Sequence, residues 1–470
     1  MQKSIKQDFT EGSLFFKITA FAIPIILTGI LQSLYNMADN IVVGKFSGDP
    51  TALAAVGSTS SLVNMIINVM MGISAGASIV VSHAYGAKQD SVLSRAVHTA
   101  MSFSAILGVA FMTMAIFISR PTLALMGTHL DLLDSATLYM RIICCGIPAS
   151  AVYNFAAAIL RSVGDSRTPL FILASSGLLN VLLNLVFVIV FTMSVAGVAL
   201  ATIISQYISA IVAVAILIKR RRESYGIRPM ELGIDTKILG RILRFGIPAS
   251  IQSSLFGISN VLITTAINGF EQAVISAKTI AGNIEGILYV TLNSYMHVAM
   301  TASGQNFGAR KPERIKRSVL YCIIQVVAIG IIGGQLMLLF GEPLANLYID
   351  PTDPAREAVL ARSMEQMTVL LSTYFLCGIM ESLSGSLRGL GYSTSPMIMC
   401  IVGVCGIRIL WILTAFKVET LHTPTGLFIV YPISWIATSL MLGGTLVYAL
   451  KRIKKVNNNL QNSINAESKA

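Results

Sequence analysis

Long apolar segments constrain the fold of this chain more than any other feature of its sequence. Hydrophobic residues make up 54% of the 470 residues and charged residues 12%, whereas soluble domains are about 25% charged. A bilayer core needs about 20 apolar residues in a helix, while membrane β-strands need only about ten alternating ones. The sequence therefore predicts an all-α integral membrane protein with twelve transmembrane helices at 17–42, 53–82, 97–119, 138–160, 169–191, 196–218, 242–267, 277–302, 318–340, 364–387, 397–416 and 426–450.

The chain is also internally duplicated. Three motifs recur at offsets of 222, 227 and 224 residues: Tyr85-Gly86-Ala87-Lys88 as Phe307-Gly308-Ala309-Arg310, Leu160-Arg161-Ser162-Val163-Gly164 as Leu387-Arg388-Gly389-Leu390-Gly391, and Phe21-Ala22-Ile23-Pro24 as Phe245-Gly246-Ile247-Pro248. Six helices per copy is an even number, so both copies enter the membrane from the same side. This predicts two six-helix bundles related by a pseudo-twofold axis along the membrane normal, a parallel repeat. Such halves can expose a shared site to either side in turn, which indicates transport.

The distribution of Lys and Arg predicts the orientation and the limits of the halves. With both termini cytoplasmic, the cytoplasmic ends and loops hold 25 of the 34 basic residues and the external loops hold five, which is the positive-inside bias. We predict an N-terminal six-helix half at 1–218, a basic cytoplasmic linker at 219–241, a second half at 242–450 and a disordered cytoplasmic tail at 451–470. The expected location is the plasma membrane, as a multi-pass protein, which is the inner membrane in a Gram-negative cell.

Several other classes of protein are disfavoured by charge and motif. The net charge of +12 comes from short loops rather than from one polar face, so no nucleic-acid partner is expected. The six cysteines lie in apolar segments without CxxC spacing, which argues against zinc or redox sites. No enzymatic activity is expected, because the one GxSxG string, Gly72-Ile73-Ser74-Ala75-Gly76, lies inside an apolar helix instead of on a strand-to-helix turn.

Polar side chains inside the predicted helices of the first half are candidate functional groups, since they are costly in a bilayer. Asp39 shares a helical face with Asn36 and Asn40 through i, i+3 and i+4 spacing. Two alternatives are open: Asp39 reaches the outer interface, and the amides only join helices by hydrogen bonds. We predict a proton or cation site, with Asp39 as the ligand if the ion is Na⁺, formed by Asn36, Asp39, Asn180, Asn184 and Thr202.

A second group of polar residues is predicted to line a substrate cleft or to form a charged network. Arg408 lies inside the eleventh predicted helix, and a structural ion pair with Glu381 or Glu285 is one interpretation of it. Glu381 occupies the repeat position of Asn154, so the halves differ in charge where their backbones match. The group consists of Asn154, Gln252, Asn260, Glu285, His297, Glu381 and Arg408.

These motifs resemble those of the multidrug and toxic compound extrusion (MATE) family, in the bacterial branch that includes DinF-like proteins. The resemblance covers about residues 10–450 and rests on Leu34-Tyr35-Asn36-Met37-Ala38-Asp39 before Val43-Gly44-Lys45-Phe46, on Gln305-Asn306-Phe307-Gly308-Ala309, and on the two Leu-Arg motifs. It implies a cation-coupled antiporter that exports amphipathic, often cationic, drug-like compounds by alternating access. In DinF-like members a cluster on helices one, five and six takes part in coupling, and the matching positions are Asp39, Asn180, Asn184 and Thr202.

Two departures from the family pattern bear on coupling. Helix five often reads Asn-x-x-x-Asp, whereas this chain has Asn184 in place of the acid, and the helix-seven Glu of NorM-like members is replaced by Phe256. The alternatives are a lipid-linked saccharide flippase of the same superfamily, which would carry a more basic cavity, and a membrane-embedded enzyme. The resemblance implies a monomer whose partners are the lipid bilayer and a small-molecule substrate, without a cofactor beyond the coupling ion, H⁺ or Na⁺.

Overall fold

The computed structural model describes residues 6–46, 52–128, 130–349, 351–352 and 354–467, and this part of the chain is helical and contains no β-strand. Its α-helices are α1 (Leu14–Phe46), α2 (Ala52–Gly86), α3 (Asp90–Leu125), α4 (Leu130–Cys144), α5 (Ile147–Ser162), α6 (Arg167–Leu185), α7 (Ser194–Lys219), α8 (Thr236–Ile267), α9 (Gln272–Gly308), α10 (Pro312–Leu339), α11 (Gly341–Asn346), α12 (Arg356–Leu371), α13 (Tyr374–Gly389), α14 (Thr394–Cys400), α15 (Ile407–Leu413), α16 (Pro424–Phe428) and α17 (Val430–Glu467).

Most of these helices are long and apolar enough to cross a membrane. Nine in the described ranges meet this requirement, and eleven if each of two bent pairs is one span. The remaining predicted segment, 277–302, lies in α9, whose 37 residues exceed the about 20 that a bilayer needs. Lys278 and Glu285 lower its hydropathy. The prediction of an all-α membrane fold is confirmed.

Two predicted continuous helices are bent pairs in the structure. The predicted helix 138–160 breaks between α4 and α5 with a 43° bend, and 364–387 breaks between α12 and α13 with a 42° bend. At the first break, Cys145 and Gly146 form tight turn hydrogen bonds to Ile142 and Ile143. Pro148 follows in the first turn of α5, where its missing N–H is tolerated.

The duplication seen in the sequence extends to local backbone geometry. Lys88 and Arg310, the last residues of one repeated motif, have positive φ angles of 56° and 54°, and Gly164 and Gly391 share a φ of 85°. The helix ends before Lys88 and Arg310 are closed by the same hydrogen bonds, which run from the following residue to the carbonyl five positions earlier. A left-handed residue is a common helix terminator. The two copies therefore end these helices in the same way.

Packing divides the chain into two compact units. The first contains Lys6, Gln7 and 23–250, and the second contains 8–22 and the residues from Ile251 onward. The first is built around a core that includes Val80, Phe155 and Leu160, and the second around one that includes Ile263 and Phe428. The halves 1–218 and 242–450 stay a sequence-based prediction.

The segment between α7 and α8 is folded against the first unit. Tyr225 and Ile227 are buried in its core. The backbone N–H of Arg228 donates to Nε2 of His98 at 2.9 Å, and Arg95 pairs with Asp235 at 3.2 Å. The predicted linker 219–241 thus has a fixed conformation.

In the tail predicted to be disordered, residues 451–467 are helical and belong to α17, while 468–470 lie outside the described residues. Lys454 pairs with Glu313 at 3.0 Å, and the amide of Asn457 donates to the carbonyl of Arg310 at 3.3 Å. These contacts hold the extension of α17 beside the start of α10, and they are formed by polar residues that composition alone assigns to solvent.

Candidate functional site

The Tyr35 side chain links α1 to α6 in the first unit, one turn before Asp39. The hydroxyl of Tyr35 donates to the carbonyl of Ala174 at 3.1 Å. Gly177 lies directly under the Tyr35 ring, at a place where any side chain would collide with it. Asp39 follows Tyr35 by one turn of α1 and so faces the continuation of α6. The aromatic contact therefore sets the distance from which Asp39 reaches its polar partners.

A chain of hydrogen bonds joins α1, α6 and α7 at this point. Nδ2 of Asn184 lies 2.5 Å from Oδ1 of Asp39 and donates to it, and it lies 3.4 Å from Oδ1 of Asn180. Nδ2 of Asn180 donates to the hydroxyl of Thr202 at 3.3 Å, which in turn donates to the carbonyl of Val198 at 3.0 Å. Four of the five residues predicted for an ion site thus lie together.

The fifth predicted residue, Asn36, lies one turn before Asp39 on α1 with an exposed side chain. The hydrogen bonds described for the cluster do not include it. The side chain of Asn40 lies outside the described residues. The structure therefore centres the candidate site on Asp39, Asn180, Asn184 and Thr202, and leaves Asn36 at its edge.

One acceptor in this cluster has no partner. Oδ1 of Asn184 is buried and makes no hydrogen bond among the described atoms, and Asn184 as a whole is 0% exposed. A buried acceptor without a donor costs about 1–3 kcal/mol, and a bound cation, or a proton carried by the neighbouring carboxyl group, would satisfy this oxygen. Within the described ranges no group of three or more His, Cys, Asp or Glu side chains occurs, and Asp39 is the acid of this cluster.

In the second unit, Glu285 on α9 is buried and paired with an amide. Nε2 of Gln366 lies 3.2 Å and 3.3 Å from the two carboxylate oxygens. Lys278, two turns earlier on α9, is the cation that acts on this carboxylate, and its ammonium lies 5.8 Å from the centre of the Tyr431 ring. Gln366 thus holds Glu285 between α9 and α12.

A second cluster lies around Arg388 at the end of α13, where the side chain is 3% exposed. Nη2 of Arg388 donates to Oε1 of Gln252 at 2.7 Å, and Nη1 approaches Sδ of Met296 at 3.4 Å. Glu381, two turns earlier on α13, is the acid that acts on this guanidinium and is within hydrogen-bonding reach of Asn293. Arg388 is the functional candidate that the sequence analysis missed, because its motif indicated a cytoplasmic helix end.

Arg408 forms a third cluster without an acid. Nη1 donates to Oδ1 of Asn260 at 3.1 Å, Nε lies 3.4 Å from the hydroxyl of Ser434, and the guanidinium stacks 4.2 Å from the centre of the Tyr431 ring. None of the ion pairs among described residues joins Arg408 to Glu381 or Glu285, so that interpretation was wrong. Polar and aromatic partners hold this charge instead.

The remaining two predicted residues are Asn154 in the first unit and His297 in the second. Asn154 in the first unit donates to the carbonyl of Ser150 at 2.8 Å, on its own helix. His297 lies half-buried on α9, one turn beyond Asn293. The polar residues of the second unit therefore gather around Glu285, Arg388 and Arg408, and the Tyr431 ring lies beside both Lys278 and Arg408.

Gly177 offers a test of how the Asp39 cluster is positioned. We expect Gly177→Ala to reduce transport about ten-fold, because overpacking of this kind costs about 1–3 kcal/mol and would move α1 away from α6. The protein should still reach the membrane in normal amounts. Gly240→Ala is the matched control, since that glycine is also helical and nothing lies within 4 Å of an added Cβ. Equal transport by both variants would show that the Tyr35 contact does not position the site.

Comparisons with known proteins agree on one family. The MatE family model matches residues 24–186 and 248–413. The chain is 26% identical over 465 residues to the "Probable multidrug resistance protein YoeA" of Bacillus subtilis (strain 168), which covers 95% of this chain and 96% of that protein. It is 22% identical over 436 residues to an FAD transporter of Shewanella oneidensis, covering 91% and 92% of the two chains.

Solved structures show the same fold. One is described as the outward-facing conformation of a multidrug resistance MATE family transporter of the MOP superfamily. It superposes with a TM-score of 0.88 at 21% identity, over 97% of this chain and 100% of that chain. Identity this low supports the shared architecture and no finer property.

Proposed function

Because this chain belongs to the MatE family, as its motifs predicted, and is a membrane transporter rather than an enzyme, we propose that it is a cation-coupled antiporter. It would admit H⁺ or Na⁺ down its gradient and export amphipathic, often cationic, drug-like compounds. The observation that carries this proposal is the hydrogen bond between Asn184 and Asp39, an acid among amides and a hydroxyl inside apolar helices.

The chemistry of the cluster supports a role in coupling. A charged carboxylate in a low-dielectric site is costly unless it is paired or neutralised. The hydrogen bond from Nδ2 of Asn184 to Asp39 compensates part of this cost. Oδ1 of Asn184 has no donor among the described atoms and could accept from a donor or contact a cation. A proton or Na⁺ on Asp39 would remove the charge and satisfy that oxygen. Ion binding would then favour one conformation over another, and a ligand shifts such an equilibrium only by its difference in affinity for the two states.

The cluster contains one acid, which sets its capacity. Asn184 stands where many relatives of the DinF-like branch are expected to have Asp, and an amide neither titrates nor carries charge. A site with Asp39 alone would neutralise one charge in each transport cycle. We therefore propose one coupling ion per cycle at this site.

The proposed substrates follow from the relatives and from composition. Relatives over most of the chain are named multidrug resistance proteins. The chain contains 21 Met residues, and flexible thioether side chains suit surfaces that bind many shapes. We propose that the protein acts as a monomer in the plasma membrane. We also propose that both termini are cytoplasmic, since basic residues follow α2, α7 and α9 and basic loops stay on the cytoplasmic side.

The decisive experiment imposes each ion gradient separately. The full chain is reconstituted in proteoliposomes, and transport of a fluorescent cationic dye is followed under a pH gradient, a Na⁺ gradient, both or neither. We expect one of the two gradients to drive dye movement against its concentration, and an ionophore that dissipates that gradient to stop it. Dye movement that is the same with and without both gradients would show that the protein is not a cation-coupled antiporter.

A further inference from the structure

A cavity of 520 Å³ lies between α6 and α7 in the first unit, away from the Asp39 cluster toward the other end of these helices. Six of its twelve lining residues are apolar, four carry hydroxyls, two are basic and none is acidic. Phe171 and Val212 on its wall are strongly exposed for such large apolar side chains, at 67% and 40%. The cavity is therefore an apolar groove with a basic end.

The dimensions of the groove match one leaflet of a bilayer. Along α7 it extends from Ile208 to Lys219, and eleven residues at 1.5 Å each give roughly 16 Å. Half of a hydrocarbon core of about 30 Å is roughly 15 Å. A lipid tail lying along the groove would thus run from the headgroup level to the middle of the membrane.

Hydrogen bonds hold Arg220 in a fixed position at the basic end of the groove. Nη1 of Arg220 pairs with Asp165 at 2.7 Å, and Nη2 lies 3.2 Å from the hydroxyl of Thr168. Burial acts to raise the pKa of Asp165, but hydrogen bonds from Thr168 and Arg220 outweigh it and hold that pKa below its usual value. Asp165 therefore stays charged and fixes the guanidinium at the mouth of the groove.

More positive charge surrounds this point than Asp165 can balance. Lys219 at the mouth is exposed, and Arg221 and Arg222 follow directly, so four consecutive basic residues leave the end of α7. Clusters of four or more basic residues next to a membrane helix, and basic pockets between helices on the cytoplasmic side, bind anionic lipid headgroups. Asp165 and Glu223 are the acids beside these four bases, and Glu223 pairs with Lys6 at 2.9 Å, so the segment keeps a net positive charge.

We propose that this groove holds one anionic phospholipid as a bound, non-transported ligand. The phosphate lies at Lys219 and Arg220, and an acyl chain runs over Phe171, Val212 and Ile216. Both parts of the ligand are needed, because a soluble anion would leave the apolar wall exposed and a zwitterionic lipid would bring no net negative charge to this positively charged segment. The proposal concerns a lipid that stabilises the first unit and is independent of the coupling ion and of the exported compound.

The test measures lipid retention and thermal stability of the purified full chain in detergent. Phosphatidylglycerol and phosphatidylcholine with identical acyl chains are added separately, and inorganic phosphate serves as a headgroup without a tail. We expect phosphatidylglycerol alone to raise the unfolding temperature, and about one molecule per chain to be retained through purification. Equal effects of the two lipids, or an equal effect of phosphate alone, would overturn the proposal without involving any variant.

Variants test the headgroup end and the apolar part of the groove separately. Lys219→Ala should weaken retention of phosphatidylglycerol about five-fold, the effect expected for one basic residue near an anionic headgroup. Val212→Trp fills the apolar part and should abolish retention. Lys237→Ala, an exposed lysine of the same unit outside the groove, is the matched control and should retain lipid as the wild type does. If Val212→Trp retained phosphatidylglycerol, the lipid would be bound by the surface charges only, and the proposal that its acyl chain lies in the groove would be wrong.

A further readout distinguishes this site from the transport function. Dye transport under the driving ion gradient should continue in the Val212→Trp variant, whose Asp39 cluster is intact, at a rate that follows its amount of folded protein. If instead phosphatidylglycerol were moved between leaflets by the ion gradient, the lipid would be cargo and the proposal of a resident ligand would be wrong.

Discussion

Replacing Asp39 with asparagine should uncouple transport from the ion gradient. We expect gradient-driven dye transport in proteoliposomes to fall at least about ten-fold, which corresponds to the loss of about 1.4 kcal/mol or more of ion-dependent bias. The amide of Asn cannot bind a proton or supply a negative charge to Na⁺. Its size matches that of Asp, so packing against Asn184 changes little and the protein should remain folded.

The control for this prediction is Asp134→Asn. Asp134 is an exposed acid of the same unit, paired with Arg120 at 3.1 Å, and exposed ion pairs contribute about 0–1 kcal/mol. Its loss should leave transport unchanged. If Asp39→Asn transported dye under the ion gradient at the wild-type rate, the coupling role of Asp39 would be refuted. The family assignment would still stand, because it does not depend on this residue.

The sequence predicts the members of the Asp39 cluster because polar side chains are unusual inside apolar helices. An acid inside an apolar helix is costly, and Asn180 and Asn184 share a helical face through their i, i+4 spacing. Neither fact says that α1, α6 and α7 meet at one place. That information came from the family resemblance, and its physical basis is the Tyr35–Gly177 contact, which no local pattern reveals.

Arg388 shows why the second unit could not be predicted in the same way. The repeated Leu-Arg motif lies at a helix end, where arginine ordinarily meets water or headgroups. In the structure α13 approaches α9 closely, because Gly385 and Gly389 lie against the backbones of Met296 and Met300. Small residues permit such approach, and it buries the guanidinium. Burial of a helix end depends on a neighbouring helix that periodicity does not identify.

The helix breaks and the tail were missed for a related reason. Hydropathy reports how long an apolar segment is but not whether its helix bends. The pairs α4–α5 and α12–α13 each read as one apolar segment because the sequence stays apolar across the bend. The extension of α17 is polar, yet it stays helical through contacts of Lys454 and Asn457 with α10 and the turn before it. Local turn hydrogen bonds form the first break, whereas contacts between polar groups hold the tail, and composition reports neither.

Replacing Arg388 with methionine should destabilise the protein by about 1–3 kcal/mol, the usual cost of leaving a buried hydrogen-bonding group without its partner. The change leaves Gln252 without its donor and Glu381 without the cation that acts on it. Glu381 is 2% exposed, so water cannot replace that cation. The free energy of unfolding, measured by denaturant titration in mixed micelles, reports the effect.

A double-mutant cycle separates the charge interaction from lost packing. Adding Glu381→Gln to Arg388→Met removes the unpaired charge, so the double variant should be more stable than the sum of the single changes predicts, by about 0.5–3 kcal/mol. Combining Glu381→Gln with Arg356→Met is the matched control. Arg356 is an exposed arginine of the same unit that donates to Oδ1 of Asn346 at 2.9 Å, so those two changes should be additive. Additivity in both cycles would show that Glu381 and Arg388 do not act on each other.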